Sequence, residues 1–324
     1  TKTSAETITA TKDGKTLIYT DSDLGVLGII DITDPSDPKG EGIIELEAEP
    51  TSVMERNGKI FVGINTSESY TNPSGSITSY DLKTGIKSKE CNLGGQPDSV
   101  AIAPSGKFIA VAIENERDEE FNDGVIPQMP AGNVAFVKLK GGGNVRDLDC
   151  DSMFFADVSG LAEIAPSDPE PEFLTINKKG ETVVSLQENN HLVVLNKKGE
   201  VISHFSAGVV SQMAGMDTKK DGAHKFKKKL KNVRREPDGL TWIDNDHFAT
   251  ANEGDYKLKK EGQAKRGGSR SWTIWNKDGS VVYEDGNRLE RAIAQIGHFQ
   301  DDRAGKKGVE PESVTYAKIK GTPY

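Results

Sequence analysis

Along this chain apolar residues alternate with polar ones in short runs rather than recurring at helical spacing. "LTWI" (240–243), "HFATA" (247–251), "GSITSYDL" (75–82) and "GNVAFVKL" (132–139) are rich in Val, Ile, Thr, Phe and Trp with period two, the signature of strands on a half-buried sheet. The runs are bounded by turn pairs such as Asp13-Gly14, Asn57-Gly58 and Ser105-Gly106, which suit tight hairpins. No long amphipathic helical pattern interrupts them, so helical repeats fit poorly.

The runs group into a unit that returns. "AEPTSVMERNGKIFVGINTSES" from Ala48, "GQPDSVAIAPSGKFIAVAIENER" from Gly95 and "PEPEFLTINKKGETVVSLQENN" from Pro169 share one plan: X-Pro-X, strand, polar turn, strand, then an Asn/Glu cluster. "AETITATKDGKTLIYTDSD" from Ala5 is a proline-free version, and "VEPESVTYAKIKGTPY" from Val309 opens another. Starts at Glu6, Glu49, Gln96, Glu170, Glu236 and Glu310 lie 43 to 74 residues apart, and the shorter intervals are those of propeller blades. A third strand follows each complete hairpin, as in "HLVVLN" (191–196) and "SWTIWN" (271–276), and a weaker fourth, as in "EVISHF" (200–205). The expected fold class is all-β, a β-propeller of four-stranded blades with at least six blade starts and seven blades in the full-length protein. A jelly roll would not explain a motif returning once per four strands. Residues 1–324 read as one propeller domain whose last blade is incomplete, so the chain is expected to continue beyond Tyr324.

Hairpin geometry then gives the acidic residues a common address. In residues 235–256, Glu236 and Asp238 precede one strand and Glu253 and Asp255 follow its partner; antiparallel pairing brings the start of the first strand beside the end of the second. Radial repetition of that rule gathers Asp98, Glu114, Glu116, Glu170, Glu172, Glu188, Glu236, Asp238, Glu253, Asp255, Glu310 and Glu312 as candidate metal ligands around one channel mouth. The long connections, 117–131, 151–169, 208–235, 255–268 and 285–309, emerge on that same side, where binding loops gather on repeat scaffolds. Crowded like charges need a cation or several Lys/Arg partners. Carboxylates with Asn carbonyls suit Ca²⁺ best, with Mg²⁺ or Mn²⁺ behind it. The competing reading is structural: Pro suits a strand entry, and the Glu accepts neighbouring amides. That reading is stronger at Glu49, whose blade carries Thr51 and Asn65 in place of further acids.

Composition excludes several classes. The 324 residues carry 50 acidic and 41 basic side chains, a formal net charge of −9, which argues against nucleic acid as a partner because phosphate neutralisation needs a positive face. No apolar run approaches a membrane span. The five histidines lack HExxH or HxH spacing, and no GxSxG elbow, Walker A loop or dinucleotide fingerprint is present, so zinc, serine-nucleophile and nucleotide chemistry lack support. Asn65-Thr66-Ser67 is a glycosylation sequon with meaning only in a eukaryotic secretory route. Cys91 and Cys150, the only cysteines, stand near the ends of outer strands in successive repeats; a bridge and two free thiols both remain open. "KKDGAHKFKKKLKNVRR" (219–235) is the one strongly basic stretch, suited to phosphate, anionic glycan or an acidic partner, or simply a solvated loop. Arg117, Arg234, Arg235 and Arg270 are the candidates for holding a phosphate against a metal.

At "EPEFLTINKKGETVVSLQENNHLVVLN" (170–196), "GMDTKKDGA" (215–223), "EPDGLTWIDNDHFATANEGDY" (236–256) and "VEPESVTYAKIKGTPY" (309–324), the chain resembles the choice-of-anchor I family. The family includes bacterial secreted proteins labelled alkaline phosphatase-like and the mesenchyme-specific cell-surface glycoproteins of biomineralising cells. "QENN" and "ANEGD" are the most specific parts of the match. The resemblance implies a secreted, periplasmic or surface-anchored propeller that is calcium-associated. This chain departs from the family in its truncated final unit and in the lysines of "DTKKDGA". Two functions follow as expectations. One is a calcium-associated module that binds a protein, glycan or mineral partner through its acidic loop-rich face. The other is a metal-dependent phosphoesterase centred on the acidic mouth.

Overall fold

A computed structural model describes residues 2–118, 121–142, 145–253, 268–305 and 307–324. The chain forms two compact units, Thr1–Asp118 with Gln128–Val158, and Glu119–Pro127 with Ser159–Tyr324.

The first unit holds three four-stranded antiparallel sheets in simple meander order. They are β1 (Ala5–Ala10) to β4 (Lys39–Glu45) through β2 (Thr16–Asp21) and β3 (Val26–Asp31); β5 (Glu49–Arg56), β6 (Lys59–Asn65), β7 (Gly75–Asp81) and β8 (Lys87–Asn92); and β9 (Pro97–Ile102), β10 (Phe108–Ile113), β11 (Asn133–Lys140) and β12 (Asp147–Ala156). The first strands β1, β5 and β9 run side by side, as the inner strands of neighbouring propeller blades do. Middle strands are buried on both faces: Phe61, Val62, Ile109, Val111 and Ile113 are all at most 1% exposed. That is why "KIFVGIN" and "FIAVAI" read as nearly continuous apolar runs while the outer β4 and β8 are mostly polar.

The second unit holds two more such sheets. One is β13 (Pro171–Ile176), β14 (Thr182–Leu186), β15 (His191–Leu195) and β16 (Val201–Ser206). Between it and the next lies a two-stranded ribbon, β17 (Val209–Met216) and β18 (Lys228–Arg234). The fifth sheet is β19 (Pro237–Trp242), β20 (His247–Asn252), β21 (Ser271–Asn276) and β22 (Val281–Glu284). Because β13 lies directly beside β19, the ribbon is an insertion between adjacent blades and not a blade itself. Phe205, Phe248, Trp242 and Trp275 fill the space between these two sheets, and Trp242 Nε1 donates to the Thr175 carbonyl at 3.2 Å. The connection after β22 carries α1 (Arg288–Gln295), a helix of only eight residues.

The Val309 unit begins as expected and then departs from the blade plan. Val309 lies in a turn, residues 310–317 are assigned to no strand, and a short hairpin, β23 (Lys318–Ile319) with β24 (Thr322–Pro323), follows. The Gly239 amide nevertheless donates to the Glu312 carbonyl at 2.8 Å. A Cβ on Gly239 would stand 2.5 Å from that oxygen, so glycine is required for the close approach. The fold class is therefore an all-β chain of propeller blades, with five four-stranded sheets among the described residues and a sixth start docked on β19.

One polar device recurs at the blade entries. The backbone amide that precedes the proline is bound by an asparagine following a second strand: Gln96 N to Asn115 Oδ1 at 2.9 Å, Glu170 N to Asn189 Oδ1 at 3.0 Å, and Glu236 N to Asn190 Oδ1 at 2.9 Å. Asn189 clamps its own blade and Asn190 the next, which explains the doubled asparagine in "QENN". Asn115 and Asn190 take positive φ of 53° and 50°, a conformation that asparagine tolerates better than other side chains. Each clamp satisfies a donor that would otherwise be buried at a cost of about 1–3 kcal/mol.

Cys91 on β8 and Cys150 on β12 form a disulfide, with Cα atoms 5.3 Å apart. The bridge joins the outer strands of two successive blades, where hydrogen bonding between sheets is absent from the ladder. It closes a loop of 59 residues in sequence separation, so chain entropy gives it about 4 kcal/mol of stabilisation. Cys91→Ser/Cys150→Ser should lower the urea unfolding free energy by that order, and a change under about 1 kcal/mol would contradict the linkage.

Candidate functional site

The strand register delivers acidic residues to the blade ends as hairpin geometry requires. Glu49 pairs with Asn65 across β5 and β6, Pro97 with Ile113 across β9 and β10, and Pro237 with Asn252 across β19 and β20. In the first unit this places Glu6, Glu49, Asp98, Glu114 and Glu116 around one open cavity of about 540 Å³. Thr51, Asn65, Ser67, Ser69, Tyr70 and Gln96 complete its wall, and no lysine or arginine is among the described residues lining it.

Local hydrogen bonds fix this wall. Asn65 Nδ2 donates to Glu49 Oε2 at 3.0 Å, and its Oδ1 accepts from the Ser67 amide at 3.0 Å. Glu6 Oε1 accepts from the Ser22 hydroxyl at 2.6 Å. Gln96 reaches Glu116 twice, donating from Nε2 at 3.4 Å and accepting the Glu116 amide at 3.2 Å. Asp98 stands apart: half-buried at the start of β9, its carboxyl rises from the usual value to about 7. Burial is the main cause, followed by the negative charges of Glu116 and Glu6. The same field raises Tyr70, through Glu116 first, then burial, Asp118, Glu114 and Glu49. Among the described residues lining the cavity, the side-chain polar atoms are oxygens apart from the Asn65 and Gln96 amide nitrogens.

The second unit treats its acids differently. Glu253, Glu310 and Glu312 bring one oxygen each within 4.8 Å of one another. Here cationic side chains are already at hand: Lys307 pairs with Glu253 at 3.3 Å and with Glu310, and Arg303 pairs with Glu310. Gln187 also donates to Glu253. Glu236 is 1% exposed and pairs with Arg234 at 2.5 Å. Both Glu236 and Glu310 precede proline at positive φ, 48° and 46°, a strained setting for a bulky residue. Glu170 is buried at the entry of β13, while Glu172, Glu188 and Asp238 are half-buried at neighbouring strand ends. Asp255 lies outside the described residues.

The four arginines read as phosphate ligands are all buried. Arg234 faces Glu236; Arg235 pairs with Glu284 at 2.9 Å and stacks 5.1 Å over Trp275; Arg270 pairs with Glu290 at 3.3 Å and donates to the Asp217 carbonyl at 3.0 Å. Arg234, Arg235 and Arg270 thus stand as counter-charges to carboxylates, and for the fully buried pairs of Arg234 and Arg270 losing one partner costs about 3–5 kcal/mol.

Sequence reasoning passed over Glu6 and discounted Glu49, because acids were weighed blade by blade. The cavity is shared by three consecutive blades, so single acids from β1 and β5 join the set on β9 and β10. The signal that identifies them is the homologous position of Glu6, Glu49 and Gln96 at three successive starts.

Asp98 makes stability depend on pH with a definite sign. Its folded pKa of about 7 exceeds the unfolded value near 4, so its contribution is complete below about pH 4 and is lost as pH rises through about 7. Metal-free protein should therefore gain stability in urea between about pH 8 and about pH 5, and Asp98→Asn should reduce that gain. An equal gain in the variant would contradict the assignment.

No curated protein matches the sequence. Among solved structures, a catalytically inactive variant of virginiamycin B lyase from Staphylococcus aureus with quinupristin is similar at TM-score 0.52 and 13% identity, over 86% of this chain and 69% of that one. A putative 6-phosphogluconolactonase from Bacteroides uniformis is similar at TM-score 0.51 and 10% identity, over 86% and 71%. At these identities the likeness concerns fold alone. The choice-of-anchor I domain model matches residues 6–267 and 259–324. With that match running from the first blade start to the last residue, the chain belongs to the choice-of-anchor I domain family.

Proposed function

We propose that this chain is a non-catalytic propeller module displayed outside the cell, in which the acidic cavity of the first unit holds Ca²⁺ and uses it to bridge to an oxygen-rich protein, glycan or mineral partner. The observation that carries the reading is the convergence of carboxylates on that cavity, together with the raised Asp98 carboxyl. Five carboxylates line it with no described lysine or arginine in the wall, and burial with Glu116 and Glu6 pushes Asp98 up to about 7. A divalent cation relieves that repulsion and returns Asp98 to its charged form. Carboxylates, an Asn carbonyl, hydroxyls and the absence of His or Cys from the described lining fit a hard ion. Ca²⁺ accepts the irregular set more readily than Mg²⁺ or Mn²⁺, because Mg²⁺ demands near-ideal octahedral geometry.

The family favours a surface or extracellular setting, and the Cys91–Cys150 disulfide suits an oxidising compartment. No described helix is long and apolar enough to cross a membrane. The phosphoesterase alternative draws little support from the site, since Arg234, Arg235 and Arg270 already face carboxylates.

Equilibrium dialysis followed by elemental analysis tests the reading. The protein should retain calcium in stoichiometric amount, and Asp98→Asn/Glu116→Gln should lose it together with the calcium-dependent rise in thermal midpoint. Glu310→Gln/Glu312→Gln should retain both, because Lys307 and Arg303 serve that cluster. Equal calcium content in the wild type and the Asp98/Glu116 variant would refute the site.

A further inference from the structure

The ribbon between the fourth and fifth blades carries the densest positive charge of an otherwise acidic chain. From Lys219 to Arg235 stand seven lysines and two arginines against one aspartate. Part of this charge is balanced locally: Arg234 by Glu236, Arg235 by Glu284, Lys220 by Asp302 at 2.8 Å and Lys225 by Asp221 at 2.9 Å. Lys227, Lys228, Lys229 and Lys231 are exposed, and none forms an ion pair among the described residues.

A basic run of this kind in a solvated loop would spread its charges. Here the strand pairing holds them, with Val210 opposite Val233 and Gln212 opposite Leu230. The other side of the ribbon is fastened to the second unit. Met216 is fully buried, Gln212 donates to the Ser269 carbonyl at 2.8 Å, and Asn287 donates to the Gly215 carbonyl at 2.5 Å. Phe226, at the turn into β18, packs edge-on against Phe299 and lies under Arg291. Lys228, Lys229 and Lys231 on β18, with Lys227 just before it, are therefore held along about 14 Å of chain, strand alternation putting Lys229 and Lys231 on one face and Lys228 on the other.

We propose that β18 and its entering turn are a docking surface for a linear anionic polysaccharide, whose sulfate or carboxylate groups recur along the polymer. Ammonium groups spaced along a strand match a polymer better than a single phosphate, which needs converging donors. Single-stranded nucleic acid would require aromatic side chains for base stacking, and Phe226, the aromatic of this run, is engaged with Phe299. A lipid surface would require a broad apolar face beside the lysines, whereas the ribbon's large exposed apolar side chains are Val209 and Met213 on β17. This surface lies in the second unit and has the opposite charge to the calcium cavity, so the two proposals stand or fall separately.

The test measures binding of a size-defined heparin fragment to the full chain in chelator, which removes any calcium contribution. Wild type should bind, with affinity falling as salt rises from about 50 to about 300 mM. Lys227→Gln/Lys228→Gln/Lys229→Gln/Lys231→Gln should weaken binding at least about tenfold, and Lys229→Gln/Lys231→Gln should give an intermediate loss. Lys178→Gln/Lys179→Gln/Lys197→Gln/Lys198→Gln, the same charge change in exposed turns of the fourth blade, should stay within about twofold. Unchanged thermal midpoints report that the ribbon variants fold. Absence of wild-type binding, an equal loss in the control, or equally tight binding of a polynucleotide or anionic vesicle would overturn the proposal.

Discussion

The hydrogen bond from the X-Pro entry amide of three blades to an asparagine is the constraint on which those blade ends depend. Proline pre-sets the strand entry but leaves the preceding amide pointing into a crowded junction. Asn115, Asn189 and Asn190 satisfy that donor, and in doing so they fix the acidic residues on either side. Asn189 also donates to the carbonyls of Ile164, Ala165 and Asp168, tying the connection before β13 to the same point. The structural reading of the Glu-Pro motif and the functional one are thus linked: the asparagine provides the scaffold, and the neighbouring carboxylates supply the field.

What that field does differs between the two units. In the second, acidic groups meet cations: Glu236 meets Arg234, Glu284 meets Arg235, and Glu253 and Glu310 meet Lys307. Glu290 on α1 is fully buried and its carboxyl rises to about 7 through burial, even with Arg270 beside it. In the first unit Asp98 reaches a similar value with like charges as its neighbours.

The sequence disclosed the blades because short apolar runs bounded by turn pairs return after each blade entry, and it disclosed the clustering of acids because hairpin pairing is local. It said less about charge compensation. Arg235 and Glu284 are 49 residues apart, and Arg270 and Glu290 are 20 apart, so residue type alone made the arginines look available. The cysteines were undecidable for the same reason: their pairing depends on two outer strands of different blades approaching to 5.3 Å. The basic run was legible as charge but not as structure, since only the pairing of β17 with β18 shows that part of it is a strand. Asp255 lies outside the described residues.

The most direct measurement is anomalous scattering from crystals of the chain grown with calcium, recorded at a wavelength where the ion gives a signal. A peak inside the first-unit cavity, within coordination distance of Asp98 and Glu116, is the predicted result. A cavity without a peak, or a peak only at the Glu253, Glu310 and Glu312 cluster, would contradict the account.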